Sequence, residues 1–293
     1  MRTGQVLWGW PHCVQDEELT QLGIDRRLTV TAWEAMNRWT ATGDFSVHVF
    51  HKNNELAGYC SVLHALQLGG ATGSYGRRLR AVVVSFGATA RGAVTGLGAM
   101  GVSDVTVLTQ RDAVAVASPM PAVVMGHFQE QPDDPSRLQA LTPDGPVPLA
   151  EYLCGFDIVV NCIRQDTDAP LIFVTGKELD LFRPGTYFVD VSCDQGMGFE
   201  WAYPATFGEP MTTIGAGCPN TPSTTARRTC GIRLRGKPAR PSSRMCAESS
   251  KAGAWEADAT ISKAIEIRDG VGQNPKILSF QHRATAYPHD RTP

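Results

Sequence analysis

Two titratable side chains, His12 and Asp194, follow short apolar segments and are candidates for proton transfer. His12 comes after GQVLWGW through Pro11, and imidazole titrates near neutral pH, which suits proton transfer to a carbonyl or imine. Asp194 lies beyond the predicted strand YFVD, in the crevice where the carboxyl ends of parallel strands bind ligands. Asp190, at the end of the same strand, is expected to bond to a neighbouring loop instead. A lone histidine is more often structural than catalytic, and that alternative stays open for His12.

A second chemical feature is the segment RLRAVVVSFGATARGAVTGLGAMGVSDVTVLTQR, from Arg78 to Arg111. It predicts a strand, a glycine-containing turn, a helix and a second strand. Ala81 to Val84 is a short β-branched run, which is typical of a parallel strand buried on both faces. Gly87 lets the backbone approach a pyrophosphate. The small residues Ala88, Ala90 and Gly92 let the helix begin close to the strand, with its amide groups facing the phosphates.

This dinucleotide fingerprint is imperfect. Ser85 stands where the first glycine is usual, and Ala90 where the third is. The position of the turn, after a strand and before a helix, still favours a cofactor site. The predicted cofactor-binding residues of the turn are Ser85, Gly87, Thr89 and Ala90.

The end of the second strand indicates which cofactor binds. NAD sites usually carry an acidic residue there for the ribose hydroxyls, whereas NADP sites add a cation for the 2′-phosphate. This strand ends in Thr109, Gln110 and Arg111, and no carboxylate follows until Asp112. Thr109 and Arg111 are therefore predicted cofactor contacts, and NADP is favoured over NAD. The alternative is that Arg111 is an ordinary solvated loop residue.

Composition excludes several classes of protein. The 293 residues are 42% hydrophobic and 19% charged, as in an ordinary globular protein with room for two domains. A net charge of −2 gives no electrostatic reason to expect nucleic acid or a membrane as partner. The eight cysteines form no CxxC pair and have no zinc-ligand spacing. We therefore expect no metal site and a cytoplasmic location.

Short strands alternate with helices, which predicts an α/β fold with a doubly wound parallel sheet. The apolar spacing within ELAGYCSVLHALQL (Glu55 to Leu68) predicts a helix with one buried face, of the kind that links two domains. The polar, Pro-containing stretch from Gln129 to Gly145 is expected to be a surface excursion. A helix is expected from Glu256 to Arg268. Further strands are predicted at Leu28 to Ala32, Pro121 to Val124, Asp157 to Cys162 and Tyr187 to Val191.

Residues 217–252 differ from the rest of the chain. The stretch contains eight Lys and Arg residues against a single acid, Glu248, together with prolines and almost no apolar periodicity. Such composition predicts a basic, disordered segment. Nucleic-acid binding is disfavoured because the stretch has no aromatic residue for stacking on bases.

As an ordered set, several segments resemble the alanine dehydrogenase / pyridine nucleotide transhydrogenase family, and within it the N5-(carboxyethyl)ornithine synthase branch. The segments are GQVLWGWPHC, NNELAGYCSVLHALQ, VVVSFGATARGA, DIVVNCI with DAPLIFVT, FVDVSCDQGMGFE and TISKAIEIRDGVGQNPKILSF. The resemblance implies a Rossmann cofactor domain and an incomplete α/β substrate domain. It predicts a partial substrate domain at 1–51, a dinucleotide-binding domain at 52–216, an anomalous segment at 217–252 and a C-terminal return at 253–293.

The resemblance also implies roles for individual residues. His12 matches the histidine that hydrogen-bonds the substrate's keto or imine group, and Asp194 matches the aspartate that handles water and carbinolamine protons. Asn54 and Glu55 match the start of the interdomain helix that contacts the cofactor. Asn161, Cys162 and Ile163 match the strand end beside the nicotinamide.

The implied reaction is hydride transfer between NADP, or NAD, and the Cα of an imine. A 2-oxo acid such as pyruvate would condense with an amino acid amine before reduction. The alternatives are a simple alanine dehydrogenase and a catalytically dead cofactor-binding remnant. The expected partners are these small molecules, and we expect the full-length form to be a homo-oligomer.

The sequence departs from the family pattern at two places. Family members begin with roughly ninety residues that have no counterpart here, and that part carries the cations for the substrate carboxylate. Met1 is therefore interpreted as an internal start. The block 217–252 replaces a helix-rich return to the substrate domain, so we interpret it as a reading-frame shift entering near Gly217 and corrected near Ala252.

Overall fold

A computed structural model describes residues 1–111, 120–206, 208–214, 227–230 and 258–291. The chain divides into two compact units. The first unit comprises Met1–His51 and Pro238–Pro293, and the second comprises Lys52–Lys237. None of the described helices has the length and apolar character that crossing a bilayer requires.

The helices and strands follow one another in this order: β1 Val6–Gly9, α1 Glu17–Asp25, β2 Thr29–Ala32, β3 Asn37–Trp39, β4 Phe45–His48, α2 His51–Gly69, β5 Arg80–Val84, α3 Ala88–Ala99, β6 Asp104–Thr109, β7 Val123–Gln131, β8 Asp134–Thr142, β9 Gly145–Pro148, α4 Leu149–Leu153, β10 Ile158–Asn161, β11 Ile172–Val174, β12 Tyr187–Asp190, β13 Gly198–Phe199, β14 Met211–Ile214, β15 Arg227–Cys230, α5 Ala259–Ser262, β16 Ile265–Arg268, β17 Val271–Gly272 and α6 Pro275–Phe280. Short 3-10 turns cover Trp33–Ala35 and Gly176–Leu181.

The second unit is built on one mixed sheet. Among the described residues its strand order is β14-β15-β12-β10-β5-β6-β7-β8-β9. The six strands from β15 to β7 are parallel to one another. In chain order these six read 3-2-1-4-5-6 across the sheet from β7, which is the doubly wound order, with its switch point between β5 and β10. The predicted α/β doubly wound fold is confirmed.

Successive residues of β5 point to opposite faces of the sheet, and each face has its own apolar layer. Ala81 and Val83 pack with α2 and α3 residues such as Leu66 and Leu97. Val82 and Val84 pack in the opposite layer, which contains α4 and a group of phenylalanines. Because both faces are covered, the strand sequence reads as a continuous apolar run rather than an alternating one.

The expected surface excursion from Gln129 to Gly145 is wrong. β7 continues to Gln131 and pairs antiparallel with β8, and β8 pairs in turn with β9. Phe128, Leu138 and Ala140 are buried within this hairpin, whereas most of the residues between them are polar. An edge hairpin with one polar face has a sequence as polar as that of a loop, and composition alone does not distinguish the two.

The expected helix from Glu256 to Arg268 is also wrong in its described part. One helical turn, α5, is followed by β16, which pairs antiparallel with β2 in the four-stranded sheet of the first unit. Ile265 and Ile267 are buried on this sheet. The apolar residues alternate over too few positions to distinguish a strand from a helix by periodicity.

The anomalous block 217–252 lies outside the described residues except at Arg227–Cys230. These four residues form β15, which is parallel to β12 and antiparallel to β14. The expectation of disorder is not met at these four positions.

Helices α2 and α3 touch through their backbones. A Cβ on Gly92 of α3 would lie 1.7 Å from the carbonyl oxygen of Glu55, and one on Gly58 of α2 would lie 1.9 Å from that of Thr89. Only glycine permits this separation, because any side chain would overlap the opposite backbone. Gly92 thus serves the contact between two helices rather than the contact between helix and strand that the sequence predicts.

We expect Gly92→Ala to lower the free energy of unfolding by about 2–4 kcal/mol, because the new methyl group overlaps the Glu55 carbonyl. Gly98→Ala is the matched control on the same helix, since a Cβ there meets no described atom within 4 Å. The control should raise stability by up to about 0.5 kcal/mol through helix propensity. Urea unfolding measures both, and equal effects would contradict the packing argument.

Candidate functional site

The turn between β5 and α3 leaves the amino end of the helix open. Gly87 is the residue before the first turn of α3, and no described side chain caps the helix there. A Cβ on Gly87 would meet only the Ser85 hydroxyl oxygen, at 3.8 Å. The backbone can therefore be approached closely by a ligand beside a helix of twelve residues, and the helix dipole favours a negative group there.

Ser85 has a backbone conformation that glycine adopts more easily. Its φ is 102°, and its amide donates to the Leu108 carbonyl oxygen of the neighbouring strand at 2.7 Å. The Ser85 hydroxyl accepts a hydrogen bond from the Gly87 amide at 3.3 Å. Ser85 occupies the position of the first glycine of the fingerprint, and the turn requires a positive φ at that position. The serine is therefore held in a strained conformation.

The other predicted residues of the turn differ in accessibility. Thr89 is partly buried in the first turn of α3, and Ala90 is fully buried in the layer that joins α3 to the sheet. Ala90 can contribute through its size alone, because its side chain faces the core. Asn54 lies in the first turn of α2 and is partly buried.

The end of β6 carries one buried and one exposed predicted residue. Thr109 is buried, and its hydroxyl accepts a hydrogen bond from the Arg111 amide at 3.1 Å. Arg111 is exposed. The threonine therefore shapes the loop, while the guanidinium group is accessible to a ligand. Asp112, the first carboxylate after the strand, lies outside the described residues.

Asn161, Cys162 and Ile163 follow one another at the carboxyl end of β10. Asn161 is fully buried, and both ends of its amide are bound by protein: Oδ1 accepts from the Ile163 amide at 3.0 Å, and Nδ2 donates to Asp190 Oδ1 at 3.0 Å. Cys162 is buried, and burial raises its pKa above the usual range of a thiol. Asn161 and Cys162 thus contribute to this edge by position, and Ile163 is the accessible member of the three.

Asp190 and Asp194 occupy different environments. Asp194 is partly buried and lies four residues beyond Asp190, whereas Asp190 is 3% exposed at the end of β12. Burial raises the pKa of Asp190 to about 7, and the charge of Asp194 acts in the same direction, against hydrogen bonds from Cys193 and Asn161. The loop bond expected for Asp190 is present, because the Cys193 amide donates to its Oδ1 at 3.2 Å.

In the first unit, His12 is paired with an acidic residue that the sequence analysis missed. Glu34 lies in the 3-10 turn after β2, and its Oε1 accepts from the His12 amide at 2.7 Å and lies 3.6 Å from His12 Nδ1. β1 and β2 are parallel, with Gly9 opposite Ala32, so the residues that follow the two strands are neighbours. An acidic residue two positions after the end of the second strand is the signal for this pair in the sequence.

His48 supports Glu34 from β4. Its Nδ1 accepts a hydrogen bond from the Phe50 amide at 3.1 Å, and its Nε2 lies 3.2 Å from the Glu34 carbonyl oxygen. A nitrogen that accepts an amide proton carries no proton itself, so Nε2 is the donor and the ring is neutral. Trp10 stacks on this ring at a centroid distance of 6.1 Å. His48, packed against Trp10, therefore helps to hold the backbone of Glu34 beside His12.

A surface groove of about 580 Å³ runs along α2 and α3 and does not coincide with the predicted turn. Its lining includes Lys52, Glu55, Arg91 and Met120, but not Ser85 or Thr109. Lys52 and Glu55 form an ion pair of 2.7 Å along α2, on one side of the groove. The chemistry-bearing residues of the second unit are those at the carboxyl edge of the sheet, where strand ends and the amino end of α3 meet.

The strain at Ser85 predicts different stabilities for two substitutions that both remove the hydroxyl group. Ser85→Gly should be more stable than Ser85→Ala by about 1 kcal/mol, because only glycine relieves the positive φ. Urea unfolding of the two variants measures the difference. A more stable alanine variant would show that Ser85 is unstrained.

Comparisons with known proteins place this geometry in context. No protein-family model matches the sequence, and no curated protein sequence matches it either. Among solved structures, an L-alanine dehydrogenase matches with a TM-score of 0.63 and 16% identity, over 96% of this chain and 76% of that one. A transhydrogenase from Sinorhizobium meliloti matches with a TM-score of 0.58 and 20% identity, over 92% of this chain and 75% of that one. The chain therefore shares the fold of the L-alanine dehydrogenase and transhydrogenase structures.

Proposed function

We propose that the protein is an NADP-preferring oxidoreductase that acts on the CH–NH or CH–NH2 bonds of amino acids. The observation that carries this proposal is the open amino end of α3 behind Gly87, at the carboxyl edge of a sheet in doubly wound order. The fold shared with an L-alanine dehydrogenase supports the same class of reaction.

The residues at this edge fit a nicotinamide dinucleotide. The space beside Gly87 and the uncapped amides of α3 suit a pyrophosphate, and Thr89 lies in the same helical turn. The exposed guanidinium of Arg111 suits a 2′-phosphate, which favours NADP over NAD. The cofactor would supply or accept the hydride, while the protein holds it in place and moves protons.

His12 and Asp194 are the proposed proton-handling groups. Glu34 binds the His12 backbone and lies 3.6 Å from Nδ1, so it restricts the imidazole. A protonated His12 would donate to the keto or imine group of a substrate. Asp194 would accept protons from water or from the condensing amine.

The proposed substrates are a 2-oxo acid such as pyruvate and the amine of an amino acid, as in N5-(carboxyethyl)ornithine synthase. Reduction of the imine formed between them would give a secondary amino acid. The shared fold with an L-alanine dehydrogenase favours a second candidate, in which ammonia is the amine and alanine the product. The two candidates differ in the amine that supports oxidation of NADPH.

The direct test is a fluorescence titration with NADPH and NADH, followed by turnover assays with pyruvate and ornithine, lysine or ammonia. Binding and turnover with an amino acid amine support the leading proposal, and turnover with ammonia alone supports the second. Cofactor binding without turnover would identify a catalytically inactive cofactor-binding protein. Failure to bind either dinucleotide would overturn the proposal.

His12→Asn should reduce turnover by at least about a hundredfold, because general acid–base catalysis is lost. Asparagine is chosen because His12 has a φ of 48°, a conformation that asparagine tolerates better than most residues. The NADPH dissociation constant, measured in parallel, should change little. Near-normal turnover would exclude His12 as the proton donor.

Arg111→Ala should weaken NADPH binding by about tenfold and leave NADH binding nearly unchanged, since a charge-assisted contact to the 2′-phosphate is removed. Arg137→Ala, an exposed arginine on β8, is the control for a general change in charge. Equal losses of affinity for NADPH and NADH would show that Arg111 does not contact the 2′-phosphate.

A further inference from the structure

Asp190 links two segments at the carboxyl edge of the sheet. Asn161 and Asp190 are the last residues of adjacent parallel strands and lie opposite each other in register. Asp190 Oδ1 accepts hydrogen bonds from Asn161 Nδ2 at 3.0 Å and from the Cys193 amide at 3.2 Å. One carboxyl oxygen therefore binds both the segment after β10 and the segment that leads to Asp194.

Further bonds tie the same two segments together. The Ile163 amide donates to Asn161 Oδ1, and the Ser192 hydroxyl donates to the Ile163 carbonyl oxygen. Cys193 Sγ donates to the Asp190 carbonyl oxygen at 2.9 Å. Cys193 has a φ of 53°, so its amide and thiol bonds to Asp190 hold it in an unfavourable conformation immediately before Asp194.

The second carboxyl oxygen, Oδ2, is buried and has no hydrogen-bond partner among the described residues. An ionised Asp190 would place a negative charge in the core with one oxygen unpaired, which costs far more than a neutral group with one unpaired atom. The donors on Oδ1 identify it as the carbonyl oxygen of an acid, which leaves Oδ2 for the proton.

We propose that Asp190 is a positioning residue that works as a neutral carboxylic acid, joining Asn161 to Cys193 and thereby setting the direction of Asp194. This inference rests on the proposed function for the role of Asp194, but the protonation of Asp190 does not depend on it. With Asp190 neutral, the proposed proton acceptor at this edge of the sheet is Asp194.

The surrounding charges agree with this protonation. Burial raises the pKa of Asp190 to about 7, and the negative charge of Asp194 raises it too, while the bonds from Cys193 and Asn161 lower it. In the segment after β10, the thiol of Cys162 is buried and stays neutral, because burial raises its pKa. On the side of β12 away from β10, the neighbouring strand is β15, whose last paired residue, Cys230, lies opposite Val189.

The raised pKa of Asp190 determines how the stability of the protein depends on pH. A carboxyl whose pKa is higher in the folded state stabilises the fold fully below its unfolded pKa of about 4, and this contribution is lost as pH rises towards 7. The unfolding equilibrium constant of the wild type should therefore increase by up to about tenfold per pH unit between pH 5 and 7 relative to a variant that cannot ionise.

Asp190→Asn is that variant, because its amide oxygen can accept both bonds while its NH2 takes the place of the protonated oxygen. We expect urea unfolding of Asp190→Asn to lack the wild-type loss of stability between pH 5 and 7. Identical pH dependence of Asp190→Asn and wild type would overturn the proposal. This measurement needs neither cofactor nor substrate, so it is separate from the test of the proposed function.

Asp157→Asn is the matched control from the opposite edge of the same sheet. Asp157 is also buried, but bonds from Arg77 and the Arg80 amide outweigh burial and lower its pKa. Its contribution is present above the unfolded pKa of about 4 and lost as pH falls below it. Asp157→Asn should therefore retain the wild-type slope between pH 5 and 7.

Two further measurements keep the proposal testable if Asp190→Asn folds poorly. Carboxyl-carbon NMR of the wild type should show one aspartate that titrates near pH 7, and titration of every aspartate below pH 5 would overturn the proposal. In turnover assays at pH 6, Asp190→Ala should lose about tenfold in kcat and Asp190→Asn less than about threefold, because only asparagine keeps both bonds. Equal losses would contradict the positioning role.

Discussion

The contact on which the rest of the second unit depends is the close approach of α2 and α3. Gly92 leaves room for the carbonyl oxygen of Glu55, and Gly58 leaves room for that of Thr89. Two helices that touch through their backbones can cover the same face of the sheet as one layer. That layer holds the amino end of α3 at the carboxyl edge of β5, so helix packing fixes the place where an anionic ligand would meet the open amides.

The same edge shows how parallel strands concentrate polar groups. β10 and β12 end side by side, and their last residues, Asn161 and Asp190, face each other inside the core. Buried polar groups must be satisfied by one another, so the two strand ends become joined by hydrogen bonds. The result is a rigid platform next to Asp194. In the first unit, the pairing of His12 with Glu34 follows the same rule, since both residues lie within three positions of the ends of parallel strands.

At Ser85 the residue type and the backbone conformation do not match. Its positive φ serves the turn, although a serine pays conformational strain there that a glycine would not. The tertiary structure imposes the conformation, because the Ser85 amide is held by Leu108 on the neighbouring strand. The fingerprint therefore remains a correct guide to geometry even where its residue types are replaced.

The sequence by itself determined the doubly wound class and the strand–turn–helix order around Gly87, because a β-branched run followed directly by a glycine turn is a local signal. It did not distinguish a polar loop from the edge hairpin that contains Phe128 and Leu138, or a helix from the strand that carries Ile267, since short apolar patterns fit either structure. Only the tertiary structure decided which residues meet. Glu34 beside His12 and Asn161 beside Asp190 lie far apart along the chain, and the register of parallel strands alone brings each pair together.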